Sequence, residues 1–232
     1  MITVVDYGLG NLGSVQNMFR KIGVETSVTN DIEVISNASK LVLPGVGSFD
    51  SGIRQIKELG LHDVLNRKAL CEKVPILGIC LGAQLMTKFS DEGCEDGLGW
   101  FDAHTKKFDL HGVVGRWPLP NIGWRDVNFK KNYSLQPSFN MPSRFYFVHS
   151  FFMEANDESL VSITSNYGVE FACGLHRENL HCVQFHPEKS HRFGFEFFKK
   201  LRKYLTPFFT SKFHFFLRLP VYESDNSSYQ SY

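Results

Sequence analysis

Residues 74–84 read Val-Pro-Ile-Leu-Gly-Ile-Cys-Leu-Gly-Ala-Gln, an apolar run that meets a cysteine and continues into good helix formers. We expect a buried strand over residues 74–79 and a helix that begins near Leu81. Gly78 and Gly82 stand two residues either side of Cys80, and small residues there permit a strained strand-to-helix turn that projects a nucleophilic side chain. The positive end of the helix dipole favours a thiolate at Cys80. The alternative for this cysteine is an inert thiol buried beside two core glycines.

Short apolar runs and amphipathic stretches alternate on the N-terminal side of this segment. The pattern predicts strands over residues 2–5, 24–28 and 40–43, and helices over residues 14–22, 52–59 and 61–71. Repetition of strand, glycine turn and helix indicates parallel strands joined by crossover helices. The fold class predicted is therefore α/β, with a mostly parallel, flavodoxin-like open sheet that carries helices on both faces.

The pattern of apolar residues changes on the C-terminal side of this segment. Between residues 97 and 175 short alternating strands with turns predict an additional antiparallel section. The parallel pattern returns over residues 181–186, and Phe193, Phe197 and Leu201 recur every four residues, as on the apolar face of a closing helix over residues 193–205. We therefore expect one domain over residues 1–205. Residues 206–232 are rich first in Phe and then in Ser, Asn and Tyr, which predicts a partly disordered tail.

The composition excludes several classes of protein. The 232 residues carry 25 Lys and Arg against 24 Asp and Glu, so no basic excess favours nucleic acid as a partner. Five scattered cysteines fit a reduced compartment better than a disulfide framework. The Phe-rich stretch over residues 208–221 is interrupted by charges and is too short to span a membrane, and the N-terminus lacks the basic region of a signal peptide. We expect a cytoplasmic protein with no membrane span.

A second stretch, residues 183–190, reads Val-Gln-Phe-His-Pro-Glu-Lys-Ser. A strand ends at His186, Pro187 stops ladder pairing, and Glu188 is close enough to hydrogen-bond the imidazole. With Cys80 as nucleophile, His186 as base and Glu188 as the residue that orients the base, the chain would hold a Cys-His-Glu triad. The alternative is a His-Pro strand terminator followed by a solvated Glu.

Residues 8–13 read Gly-Leu-Gly-Asn-Leu-Gly and satisfy the dinucleotide-binding pattern G-x-G-x-x-G, with acids at Glu25 and Asp31 near the distance that the pattern requires. Small residues are also expected in any tight turn from a strand to a helix. Asp6 and Tyr7 crowd the strand end that a pyrophosphate would approach. We therefore favour a structural turn over a nicotinamide cofactor site, and expect no cofactor.

Cysteines and histidines are crowded between residues 173 and 191. Their spacing is not that of a zinc finger or ribbon, in which ligands come in close pairs across a turn. Alternation along a strand would also place His181 and His186 on opposite faces. We expect no metal site.

Residues 78–84 and 184–190 resemble the nucleophile and histidine motifs of the class I, triad-type glutamine amidotransferase domains. Within that family, residues 5–12, 44–47 and 146–150 resemble the glutaminase subunit of imidazole glycerol phosphate synthase. The resemblance extends over about residues 1–205. It implies the α/β fold of the class I glutaminases.

The resemblance also implies roles for the triad. Cys80 would attack the glutamine carboxamide and form a glutamyl thioester, while His186 would protonate the departing ammonia and then activate water. The oxyanion would be held by backbone amides of Leu81 and of the segment formed by Val46 and Gly47.

Further residues match positions that bind the substrate and the partner of these glutaminases. Gln84, Ser150 and Phe151 match positions that hold the α-amino and carboxylate groups of glutamine. Tyr146 and Lys189 match positions that face the partner, a (β/α)8 barrel synthase subunit. In the resulting heterodimer, ammonia would pass to the barrel, which makes imidazole glycerol phosphate and AICAR in histidine biosynthesis.

The chain departs from the family pattern in places. Gly123-Trp124-Arg125 stands where Gly-Trp-Asn is usual, and two Phe residues follow Ser150 where Tyr is common. Residues 144–148 and 190–194 resemble a paralogous branch that supplies ammonia for acetamidino sugars of surface polysaccharide (O-antigen). This branch stays open as an alternative, together with a non-enzymatic dinucleotide sensor and an inactive scaffold that only binds the barrel.

Overall fold

Two β-sheets organise the chain, and the computed structural model describes residues 1–131, 133–138 and 141–204. The α-helices within these residues are α1 Leu12–Lys21, α2 Ile32–Ser36, α3 Phe49–Glu58, α4 Leu61–Asn66, α5 Leu81–Gln84 and α6 His191–Tyr204. A π-helical turn, Arg67–Cys71, continues α4. The strands are β1 Ile2–Val5, β2 Thr26–Thr29, β3 Leu41–Gly45, β4 Ile76–Cys80, β5 Phe89–Ser90, β6 Ala103–Lys107, β7 Asn121–Phe129, β8 Ser143–His149, β9 Phe151–Ala155, β10 Val161–Tyr167, β11 Val169–Arg177 and β12 Leu180–Val183.

The larger sheet has nine strands in the order β2-β1-β3-β4-β12-β11-β10-β7-β8. The pairings from β2 to β12 are parallel, and those from β12 to β8 are antiparallel. A smaller sheet of β5, β6 and β9 lies beside it. The α/β fold class is confirmed. The antiparallel section predicted between residues 97 and 175 largely extends the parallel sheet. The same sheet therefore carries Cys80, which ends β4, and His186, which follows β12.

Helices cover the larger sheet on both faces, as the apolar patterns of its strands require. Helices α3 and α4 bury Phe49, Ile53 and Leu65 in one hydrophobic cluster. Helices α1 and α6 bury Phe19 and Phe197 in the other. The four strands β1, β3, β4 and β12 are buried along their whole length between these layers.

The helix expected to begin near Leu81 is present and is a single turn, Leu81–Gln84. The carbonyls that would continue it are used elsewhere: the Thr87 hydroxyl donates to the Gln84 carbonyl at 2.8 Å, and the Leu98 amide donates to that of Leu85 at 2.8 Å. A helix of one turn has only a small dipole, so the electrostatic support for a thiolate at Cys80 comes from the first backbone amides of that turn. Helix α2 was not predicted, although Asp31 caps its N-terminus.

Helix α6 confirms the predicted closing helix as far as the structure describes it, and buries Phe193, Phe197, Phe198 and Leu201. Leu205 and the predicted tail over residues 206–232 lie outside the described residues. Among the described helices, none combines the length and the apolar character that crossing a bilayer requires.

Candidate active site

Cys80 ends β4 and begins the turn into α5 with φ +53°, a left-handed backbone that is strained for a residue with a side chain. The neighbouring glycines make the turn possible. A Cβ on Gly82 would overlap the carbonyl oxygen of Leu43, and one on Gly78 would lie 2.9 Å from the backbone nitrogen of Ala83. The strand-to-helix turn predicted around Cys80 is therefore present, and only glycine fits on either side of it.

His186 and Glu188 form a buried pair. Nδ1 of His186 donates to Oε1 of Glu188 at 2.7 Å, and the two side chains are 1% and 2% exposed. Pro187 opens a 3₁₀ turn over Pro187–Lys189, which brings the carboxylate back onto the imidazole. Burial alone would lower the pKa of His186, but interaction with Cys80 and with Glu188 outweighs it and raises this pKa to about 10. The site thus favours an imidazolium beside the thiol.

The backbone of His186 is held by β8. Its amide donates to the carbonyl of Tyr146 at 2.9 Å. The Ser190 hydroxyl accepts from the Tyr146 amide at 3.0 Å and donates to the His186 carbonyl at 2.6 Å. Ser190 is buried, whereas Tyr146 and Lys189 are half-buried. A residue predicted to face a partner is therefore hydrogen-bonded through its backbone to the candidate base.

The residues predicted to form an oxyanion hole lie beside Cys80. Gly45, the last residue of β3, is paired with Cys80 in the parallel register, so Val46 and Gly47 follow at the level of the thiol. Val46 is 46% exposed, and Gly47 has φ +135°. A Cβ on Gly47 would lie 3.9 Å from the Leu81 side chain. The structure thus places the Val46–Gly47 segment next to Leu81, the residue that follows Cys80.

Two glutamines connect the thiol to the start of β9. Nε2 of Gln184 donates to Sγ of Cys80 at 3.7 Å. Nε2 of Gln84 donates to Oε1 of Gln184 at 3.0 Å and to the carbonyl of Phe151 at 3.3 Å. The amide of Gln84, predicted to hold substrate, is thus engaged within the protein, while half-buried Ser150 lies between β8 and β9.

The hydrogen-bonded chain continues towards β7. Nδ1 of His149 donates to the Phe151 carbonyl at 2.7 Å, and its Nε2 accepts from Asn121 at 3.0 Å. Nε of Arg125 donates to Oδ1 of Asn121 at 3.0 Å. Burial, with the charges of His186 and Arg125, lowers the pKa of His149 to about 4 despite the hydrogen bond to Phe151. His149 is therefore neutral near pH 7. Arg125, which departs from the family pattern, ends this row of hydrogen bonds through its contact with Asn121.

Several site residues were not assigned from the sequence. Gln184 could have been found, because in the strand predicted over residues 181–186 it shares the side of His186. Tyr7 is completely buried after β1, and its hydroxyl makes no hydrogen bond within the described part of the chain. A Cβ on Gly45 would overlap that hydroxyl, so glycine at this position leaves room for Tyr7. Burial, and then Cys80, raise the pKa of Tyr7 well above its usual value.

The glycine-rich turn over residues 8–13 serves the fold. A Cβ on Gly10 would lie 3.6 Å from the backbone of Gly45, so the turn packs against the end of β3. The carboxylate of Asp31, considered as a ribose ligand, accepts the amides of Glu33 and Val34 at the start of α2. These contacts agree with the structural turn that the sequence favoured.

Two histidines of the crowded stretch over residues 173–191, His176 and His181, contact each other. The ring of His181 stacks on His176 at 4.5 Å and hydrogen-bonds Tyr133 at 3.0 Å, whereas His186 contacts Glu188. Within residues 1–131, 133–138 and 141–204 no three His, Cys, Asp or Glu side chains are arranged to hold a metal ion. All five cysteines fall in these ranges and are free thiols.

A strained cysteine at a strand end and a buried His-Glu pair, carried by a mixed α/β sheet, form the arrangement that a triad-type cysteine enzyme requires. The sequence model described as glutamine amidotransferase class-I matches residues 3–201, and the chain belongs to this family. The resemblance seen in residues 78–84 and 184–190 is thereby confirmed.

The relatives narrow the family further. The chain is 47% identical to imidazole glycerol phosphate synthase subunit HisH 2 of Methanococcus maripaludis, over 88% of this chain and 99% of that protein. It is 40% identical to subunit HisH 2 of Pseudomonas aeruginosa, over 86% and 97% of the two chains. Subunit HisH of Leptospira borgpetersenii is 39% identical, over 84% and 95%.

Solved structures agree with the fold. PurLQS from Thermotoga maritima superimposes with a TM-score of 0.68 at 17% identity, over 88% of this chain and 98% of that one. The glutaminase domain of Trypanosoma brucei CTPS, solved with bound acivicin, superimposes with a TM-score of 0.58 at 14% identity, over 87% and 93%. At such identities the likeness concerns the fold alone.

Proposed function

We propose that this protein is the glutaminase subunit of an imidazole glycerol phosphate synthase, which hydrolyses glutamine and passes the ammonia to a synthase subunit. The observation that carries the proposal is the convergence of Cys80 with the buried His186–Glu188 pair, whose contact measures 2.7 Å. The names of the relatives supply the particular reaction. Those names favour histidine biosynthesis over ammonia supply for acetamidino sugars.

In the first half-reaction the Cys80 thiolate attacks the side-chain carbonyl carbon of glutamine. The carbonyl electron pair moves onto oxygen, and the amides of Leu81 and of the Val46–Gly47 segment stabilise this oxyanion. When the tetrahedral intermediate collapses, the imidazolium of His186 gives its Nε2 proton to the leaving nitrogen. The products are ammonia and a γ-glutamyl thioester on Cys80.

In the second half-reaction His186 is neutral and acts as a general base. Its Nε2 takes a proton from water as the water oxygen attacks the thioester carbonyl. Collapse of the second intermediate releases glutamate and restores the thiolate beside the imidazolium. Glu188 accepts the Nδ1 proton of His186 throughout, which keeps Nε2 directed at the reacting atoms.

The substrate and the partner occupy the same edge of the sheet. We place the α-amino and carboxylate groups of glutamine near Gln84, Ser150 and Phe151. Tyr146 and Lys189 face a (β/α)8 barrel subunit in a cytoplasmic heterodimer formed by a domain over residues 1–205. Direct docking suits this chemistry, because ammonia released into water would become protonated and lose its nucleophilicity.

Glutamate release tests the proposal. The chain is co-expressed with the barrel subunit of the same cell, and the complex is assayed with glutamine and with the substrate of the barrel. Cys80→Ala should lose glutamate release, whereas Cys71→Ala, at an exposed cysteine, should keep it. Undiminished release from Cys80→Ala would refute the triad. Failure to restore growth of a histidine auxotroph, with glutaminase activity intact, would instead favour the polysaccharide alternative.

A further inference from the structure

We propose that Gln184 is a positioning residue that donates a hydrogen bond to the Cys80 sulfur and so sets the fraction of Cys80 present as thiolate. The inference rests on the proposed function of Cys80 as nucleophile and adds a residue to its machinery. Gln184 is completely buried, and its Nε2 lies 3.7 Å from Sγ of Cys80, within hydrogen-bond distance for sulfur.

The orientation of the Gln184 amide is fixed by its neighbours. The backbone carbonyl of Phe151 can only accept, so the group of Gln84 that faces it must be the amino group. That same Nε2 of Gln84 then donates to Gln184, which must present Oε1 to it at 3.0 Å. The remaining group of Gln184, its amino group, therefore points at the thiol. A reversed amide would oppose two donors and turn a carbonyl towards the sulfur.

The position of Gln184 is fixed as firmly as its orientation. Its backbone amide donates to the Cys173 carbonyl at 2.8 Å, which holds the chain just beyond β12. His186 follows two residues later, after a bend at residues 184 and 185, and the short segment presents both an N–H donor and the base to Cys80. Both groups are anchored from behind, the first by Gln84 and the second by Glu188.

The charges around the thiol determine what this bond does. His186 lies near Cys80, Glu188 lies behind His186, and Tyr7 approaches from the end of β1. The residues of α5 and of β3 carry no ionisable side chain. In β12, the Cys182 thiol contacts the sulfur of Met153 and is not directed at Cys80. Tyr7 is also neutral, but its hydroxyl makes no hydrogen bond within the described residues, whereas Gln184 is within hydrogen-bond distance of the sulfur. An N–H donor binds a thiolate more strongly than a thiol.

Alkylation of Cys80 by iodoacetamide tests the inference without requiring turnover. The exposed cysteines are removed by Cys71→Ser and Cys94→Ser, and the rate is measured across the pH range in the full chain. Gln184→Met keeps the length of the side chain and removes the donor. Gln184→Glu keeps the acceptor for Gln84. Gln16→Glu makes the same change at an exposed position on α1.

We expect the half-maximal pH of alkylation to rise by about one unit in Gln184→Met, a tenfold lower thiolate fraction at acidic pH. Gln184→Glu should move in the same direction, and Gln16→Glu should match the parent. Parent-like profiles for both Gln184 variants would overturn the inference. If thermal unfolding shows that Gln184→Met does not fold, Gln184→Leu is measured in its place, because the charge added in Gln184→Glu would raise the half-maximal pH by itself. Absence of glutaminase activity with an unchanged dependence on Gln184 would refute the proposed function and leave this hydrogen bond standing.

Discussion

Replacement of Glu188 by Gln removes the charge from the acceptor of the His186 Nδ1 proton and leaves the size of the side chain unchanged. The hydrogen bond is 2.7 Å long and joins two side chains that are only 1% and 2% exposed, so water screens it little. A hydrogen bond to a charged partner contributes about 1.5–3 kcal/mol. We therefore expect kcat to fall by a factor of about 10 to 150. KM should change little, because Glu188 does not contact substrate.

The same substitution should also shift the pH dependence of the reaction in a defined direction. Glu188 is one of the groups that raise the pKa of His186, so its neutralisation lowers that pKa and moves the alkaline limb of kcat/KM to lower pH. The assay is glutamate release by the co-expressed complex across a pH series. Glu154→Gln, at an exposed ion pair with Lys106, serves as the matched control. Wild-type kcat and an unmoved alkaline limb in Glu188→Gln would refute the assignment of Glu188.

Three other features of the site give further predictions. Gly82→Ala should lower the free energy of unfolding by about 1–3 kcal/mol, because its Cβ would overlap the Leu43 carbonyl. The urea midpoint should therefore fall, and an unchanged midpoint would contradict the tight turn. Ser190→Ala leaves the Tyr146 amide and the His186 carbonyl without their shared hydroxyl, so kcat should fall more than KM rises, and Ser190→Thr should restore it; equal loss in both variants would point to packing alone. The raised pKa of His186 contributes stability that is fully present below about pH 6.5 and is lost as pH rises through about 10; the wild-type melting temperature should therefore fall more steeply over that window than that of His186→Asn, and parallel curves would contradict the pKa.

The parallel half of the fold could be predicted from the sequence because its strands are short apolar runs bounded by glycine turns. The strand over residues 2–5 coincides with β1, and β4 begins at Ile76, two residues after the predicted start. Helix α2 was missed because it has five residues, too few for a hydrophobic period to appear. The length of α5 could not be predicted, because Thr87 and Leu98 end the helix through hydrogen bonds that helix propensity does not encode.

The candidate site divides in the same way. Cys80, His186 and Glu188 lie in compact motifs, and local spacing is enough to suggest their chemistry. The hydrogen bond from Gln184 to Cys80 joins residues 104 positions apart, and its direction depends on a backbone carbonyl in β9. Such contacts arise from the order of strands in the sheet, which one sequence does not reveal.

The central claim is that Cys80 forms a γ-glutamyl thioester, and the most direct measurement is mass spectrometry of the acid-quenched complex after brief incubation with glutamine. We predict one added γ-glutamyl group on the peptide that contains Cys80. The adduct should be absent from Cys80→Ala and should accumulate in a variant such as His186→Asn if attack still occurs but deacylation is slow. Steady glutamate release with no adduct on Cys80 at any quench time, or the same release from Cys80→Ala, would contradict the account.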